Sequence, residues 1–136
     1  MATITRFEDI QAWQTARQLT NAVYDMAEQP NFARDYGLRN QIQRAAVSVM
    51  SNIAEGFESR TQSLFIDLLG RAKGSAGEVR AQLYIALDRD YITPDQFDQA
   101  YELADKAARQ IHSFITYLES KRGTRRVRDS RIEYEA

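Results

Sequence analysis

One histidine, no cysteine and a scatter of serines bound the chemistry this chain could perform. A di-iron centre between helices needs Glu-x-x-His pairs, yet the residue three before His112 is Arg109. A tetrahedral zinc site lacks ligands for the same reason. Ser48 and Ser51 have no histidine near them in sequence, and no base with an orienting partner can be traced to activate either hydroxyl. The run GRAKGSAG, residues 70–77, has glycines and a lysine, but not in the order of a phosphate-binding loop, and no strand leads into it. Asp95, Asp98, Glu102 and Asp105 are spaced as one solvated helix face rather than as an acid–base pair. The expectation is a non-enzymatic protein with no metal and no cofactor.

What the residue spacing does describe is binding. In Gln41–Phe57, reading QIQRAAVSVMSNIAEGF, the preceding Leu38 joins Ile42, Ala46, Val49 and Ile53 at steps of three and four, one face of a helix. Gln41, Arg44, Ser48, Asn52 and Glu55 recur in the same way on the opposite face. Short hydrogen-bonding side chains with one Arg and one Glu suit a packed polar seam better than a solvated face. A second outward feature lies on the next helix, where Gly70, Gly74 and Gly77 fall in line opposite the apolar stripe. Each glycine weakens a helix by about 1 kcal/mol relative to alanine, a cost that close approach of another backbone would explain. Ser75 and Glu78 flank this strip on one side, and Glu78 is a candidate ion-pair partner for Arg44. Two surfaces turned from the core predict self-association.

Four long helices must position these residues. The first is predicted from Thr5, with Glu8 at capping-box spacing, to about Gln29, with an inner stripe of Ile10, Trp13, Ala16, Thr20, Val23 and Ala27. The second runs from about Asp35 to Gly56, a natural helix-ending residue. Ser59 and Gln62 open the third, which is expected to bury Phe65, Leu68/Leu69, Ala72, Ala76, Val79, Leu83 and Ala86/Leu87 and to end near Asp88. Thr93, Pro94 and Gln96 mark the clearest helix start in the chain, followed by Phe97, Tyr101, Ala104, Ala108, Ile111, Ile115 and Leu118. No segment alternates as a strand does. The fold expected is all-α, an antiparallel up-down-up-down four-helix bundle over residues 1–122 with a short flexible C-terminal tail, 123–136.

The 136-residue chain is long enough for one sizeable core. No apolar run approaches the ~20 residues that cross a bilayer, and the first ten residues lack the layout of a signal peptide, so a cytoplasmic location is expected. The net charge of −1 conceals an uneven distribution. Residues 1–120 carry 12 basic against 16 acidic side chains, whereas residues 121–136 carry six basic against three acidic. Arg125, Arg126, Arg128 and Arg131 thus form a candidate nucleic-acid-binding arm, or a merely solubilising end.

Three blocks resemble a known family. They are Phe7-Glu8-Asp9-Ile10 with Trp13 and Ala16; Gln41-Ile42, Arg44-Ala45-Ala46, Ser48 and Asn52-Ile53-Ala54-Glu55-Gly56; and Ala72, Gly74-Ser75 and Glu78. Over about residues 7–118 the chain is similar to the bacterial four-helix bundle proteins encoded within intervening sequences of large-subunit ribosomal RNA genes. That resemblance implies a homopentamer of bundles whose cellular role is not established. A related branch, the accessory proteins of diversity-generating retroelements, binds nucleic acid through a strongly basic surface. This chain departs from that branch, because its body is acidic and the Asp95–Asp105 stripe repels phosphate. The resemblance and the residues together favour a self-assembling interaction platform with its seam at Gln41, Arg44, Ser48, Asn52, Glu55, Gly74, Ser75 and Glu78. The alternative is a nucleic-acid-binding accessory protein that uses the arginine arm.

Overall fold

Three of the four long helices start at a side chain that accepts an N–H the first turn leaves free. The computed structural model describes residues 3–121 and 132–134. In chain order the elements are β1 (Thr3–Ile4), a single 3-10 turn (Phe7–Asp9), α1 (Gln11–Ala27), α2 (Pro30–Arg34), α3 (Tyr36–Phe57), α4 (Gln62–Asp88), α5 (Pro94–Glu119) and β2 (Ile132–Glu133). Asp35 Oδ1 accepts from Leu38 N at 3.1 Å to start α3, and Thr61 Oγ1 accepts from Leu64 N at 3.1 Å to start α4. At α5 the expected reciprocal box is present: Gln96 N donates to Thr93 Oγ1 at 3.2 Å, and Thr93 N donates to Gln96 Oε1 at 2.9 Å.

Two predicted starts are corrected. The first helix begins at Gln11, not near Thr5, because Asp9 rather than Glu8 holds the chain there: its Oδ2 accepts from Thr5 N at 3.1 Å and Arg6 N at 3.3 Å. The third long helix is capped by Thr61, not Ser59, which frees the Gln62 amide to donate to the Leu118 and Lys121 carbonyls. Leu118 O lies in the last turn of α5, where it also accepts from Lys121 N at 3.0 Å, and Lys121 O lies just beyond the helix. Pro30 does more than end the first helix, since it also opens α2 at a first-turn position. After α4 the chain turns through Asp90 at φ 58°, with Tyr91 N donating to Ala86 O at 2.9 Å, which satisfies a carbonyl of the last helical turn.

The described residues are predominantly helical. α1 packs against α3 and α5, and α4 packs against α3 and α5, so the four long helices surround a common interior. Contacts along α3 and α4 advance in opposite senses, from Phe57 with Phe65, through Ser48 with Ser75, to Gln41 with Gln82. The interior holds two apolar clusters, one around Phe65, Phe114, Ile53 and Ile111, the other around Leu19, Phe32, Ile42 and Leu83. The first-helix stripe is rotated from the expected one: Leu19 and Ala12 are buried, whereas Trp13 and Thr20 are only half-buried. The stripes expected for α3 and α4 are buried, apart from Leu87, which is half-buried while its neighbour Ala86 faces the core.

The expectation of no strand and a mobile tail fails at Ile132–Tyr134. Ile132 pairs with Ile4 and Glu133 with Thr3 in an antiparallel two-residue ladder, and Ile132 is buried. Tyr134 stacks on Phe114 with ring centroids 4.8 Å apart, and its hydroxyl donates to Ser113 Oγ at 2.7 Å. Two apolar residues in a polar segment suffice to dock it, because a large aromatic buries much area for little lost rotamer freedom.

Gly56 is not the helix terminator expected, since α3 continues through Phe57. A Cβ at Gly56 would lie 2.7 Å from Phe65 Cδ1 and 3.2 Å from Leu68 Cβ. Gly56→Ala should therefore lower stability by about 1–3 kcal/mol through overpacking, despite alanine's better helix propensity. Urea denaturation checks this, and a stabilised variant would contradict it. A second prediction concerns Tyr91, whose hydroxyl donates to Asp35 Oδ2 at 3.0 Å. That bond raises the phenol above its ordinary value of 10.0. The stabilisation is thus complete below the unfolded tyrosine pKa and disappears as pH rises through the folded one. Denaturation midpoints taken from neutral to alkaline pH should fall less steeply in Tyr91→Phe than in wild type, and identical slopes would contradict the assignment.

Candidate functional site

The polar row of α3 divides on folding into an inner part that is satisfied and an outer part that is not. Ser48 Oγ and Ser75 Oγ meet at 2.8 Å across the α3–α4 interface. Asn52 Nδ2 donates to Ser48 Oγ at 2.9 Å and to Ser48 O at 2.9 Å. Hydroxyls can face each other at this position because both helices carry small residues there, so the backbones approach closely. Ser75 is 8% exposed, and its burial without a partner would cost about 1–3 kcal/mol, so the triad is a structural requirement of the seam.

One layer along, Gln82 Nε2 lies 3.5 Å from Gln41 Oε1, at the limit of a hydrogen bond. Gln82 Oε1 is buried and meets no donor among the described residues. Gln82 was not foreseen as a seam residue, although its spacing of seven from Ser75 puts it on the same face of α4. Thr20 was assigned to the apolar stripe, yet its hydroxyl donates to Ala16 O at 2.8 Å and lies 3.2 Å from Ala46 O.

Arg44, Glu55 and Glu78 face outward. The expected Arg44–Glu78 ion pair does not form within the chain, and none of the three has a hydrogen-bond or ion-pair partner among the described residues. Arg44 instead borders an open groove of about 880 Å³, lined also by Tyr24, Asn40, Gln41, Gln43, Val47, Ser48 and Ser51. Gly70 and Gly74 have no heavy atom within 4 Å of a Cβ built on them, while Gly77 has only the end of the Arg80 side chain at 3.6 Å. Nothing among the described residues therefore requires glycine at positions 70 and 74.

The acidic stripe of α5 is partly neutralised. Arg80 and Arg109 each donate to Asp105 at 3.0 Å, and Arg109 reaches Glu102 at 2.9 Å. His112 is exposed, with Nδ1 3.3 Å from Lys73 Nζ. No three His, Asp or Glu side chains converge as metal ligands among the described residues. No described helix is long and apolar enough to cross a membrane. Arg125, Arg126, Arg128 and Arg131 lie outside the described residues.

The sequence profile of the 23S rRNA-intervening sequence proteins matches residues 8–113, which include the whole seam and the glycine strip. The chain belongs to that family. Among solved structures it is similar to a protein of unknown function from the S23 ribosomal protein family of Bacteroides thetaiotaomicron, determined at 1.70 Å. The two share 20% identity with a TM-score of 0.72 over 76% of this chain and 97% of that one, which shows a common fold. No curated protein matches the chain. The family match stops at Ser113, the residue whose hydroxyl receives Tyr134, so the docked segment Ile132–Tyr134 lies beyond it.

The seam makes a testable claim about coupling. Ser48→Ala and Ser75→Ala should show an interaction energy of about 1 kcal/mol in a double-mutant cycle of unfolding free energies, because Ser48→Ala leaves the buried Ser75 hydroxyl without its partner, a cost that vanishes when Ser75 is also alanine. Strict additivity would contradict the 2.8 Å contact.

Proposed function

We propose that this intervening-sequence family protein is a non-enzymatic, self-assembling interaction platform of the cytoplasm. Its subunit is an up-down-up-down four-helix bundle, and its assembly is a homopentamer. One observation carries the reading: the strip at Gly70 and Gly74 faces open space, in register with a row of α3 where Arg44 and Glu55 stay unpartnered. A helix that surrenders about 1 kcal/mol per glycine with no internal use for the space is best explained by a backbone arriving from outside. The outward charges of Arg44 and Glu78, without a partner among the described residues, then find partners across subunits.

Assembly and subunit stability should separate in mutants. Gly74→Leu places a side chain in open space of the subunit, so its melting temperature at low concentration should not fall. The same side chain blocks close approach, so sedimentation velocity should show a shift from the multi-subunit species toward the single chain. Arg44→Ala should weaken assembly in the same assay, since the opposing carboxylate is left without its partner. Sedimentation coefficients equal to wild type in both variants would contradict the proposal.

A further inference from the structure

At the end of α4 away from Gly70, the exposed ring of Tyr84 rests on two aromatic rings that pack against the core. Tyr84 is 50% exposed, and the neighbouring Ile85 is 48% exposed. The Tyr84 ring lies 4.9 Å from Phe97 and 5.9 Å from Tyr101, and those two rings are 5.4 Å apart. Phe97 and Tyr101 are half-buried and pack on the apolar interior, so they hold Tyr84 in place with one side open to water. A rigid, half-exposed tyrosine backed by two rings is the type of side chain that anchors a partner at little entropic cost.

The charges around the cluster decide which partner fits. Of the cations on these two helices, Arg80 is committed to Asp105 at 3.0 Å and Arg109 to Asp105 and Glu102 at 3.0 and 2.9 Å, while Arg89 follows Asp88 at the end of α4. Asp98, beside Phe97, and Asp88, one turn after Tyr84, are exposed and have no hydrogen-bond or ion-pair partner among the described residues. Asp88 is also the last residue of α4, where the helix dipole disfavours a negative charge. A cation placed there would remove that penalty. Aromatic faces beside uncompensated carboxylates attract guanidinium and ammonium groups, by cation–π contact on one side and Coulomb attraction on the other.

We infer that the Tyr84–Phe97–Tyr101 cluster, flanked by Asp88 and Asp98, is a docking surface for an arginine- or lysine-bearing peptide segment of a partner protein. One basic side chain lies over the Tyr84 ring, and a second sits between the two aspartates. This surface lies further along α4 on the same outward side as the glycine strip, with Tyr84 seven residues past Gly77, but the inference rests on the ring cluster and its charges and not on assembly.

The test is fluorescence anisotropy of the full chain with a labelled short peptide of alternating arginine and alanine, at low and at physiological salt. Binding should weaken with salt. Tyr84→Ala should lower affinity by about five- to thirty-fold, and Asp98→Asn by about three-fold. Asp67→Asn makes the same charge change at the other end of α4 and should leave affinity within error, as should Arg44→Ala. Equal losses in Asp67→Asn and Asp98→Asn would overturn the inference, because they would mean attraction to net charge alone. So would undetectable binding, or a Tyr84→Ala protein that keeps its peptide affinity. A Tyr84→Ala protein that binds no worse but changes in light-scattering mass would assign the cluster to a second copy of this chain, and would also overturn it. Circular dichroism melts of each variant confirm that the fold is intact.

Discussion

The close approach of α3 and α4 is the constraint on which the rest depends. Gly56 lets the Phe65 ring and Leu68 lie against the α3 backbone, and Ser48 and Ser75 touch hydroxyl to hydroxyl at 2.8 Å further along. Small residues bring the two helices together at this layer, and the longer Gln41 and Gln82 meet one layer along. Arg44, Glu55 and Glu78 are directed outward, where no hydrogen-bond or ion-pair partner among the described residues meets them. The outer surface is in this sense a consequence of the inner one: small residues that draw the pair together also determine what is left for a neighbour.

The same economy shapes the interior. Alanines 16, 46, 72, 76, 104 and 108 are buried in the two apolar clusters, and aromatic rings fill the two ends of the bundle. At one end Phe57, Phe65 and Phe114 pack edge to face, and Tyr134 closes over Phe114. At the other, Asp35 serves two purposes, capping α3 and accepting from Tyr91, while Phe32 and Ile92 fill the space behind it. Aromatic packing at the ends and close alanine contact in the middle together hold the helices at a fixed separation.

Sequence reasoning succeeds here where a feature is local and periodic. The α3 and α4 stripes, the Thr93–Gln96 box and the outward glycines follow from spacing alone, as does the membership of Ser48, Asn52 and Ser75 in one polar patch. It fails where the deciding partner is distant in the chain. Thr5 and Glu8 satisfy the capping pattern as well as the true arrangement does, and only the fold selects Asp9. Gly56 looks like a helix terminator until Phe65 is seen against it. The docking of Ile132 and Tyr134 rests on two residues in a polar stretch, too few to register as a pattern. Arg44 and Glu78 were matched by charge across two helices, but both point away from the interface that would join them. Their separation is what turns attention from the single chain to its neighbours.

The central claim is that this outward face is covered by further copies of the chain. The most direct measurement is the light-scattering mass of the wild-type protein during size-exclusion chromatography, repeated over a dilution series. The account predicts a mass that is an integer multiple of 15.6 kDa, five-fold at the higher concentrations. A mass of 15.6 kDa at every concentration would contradict it.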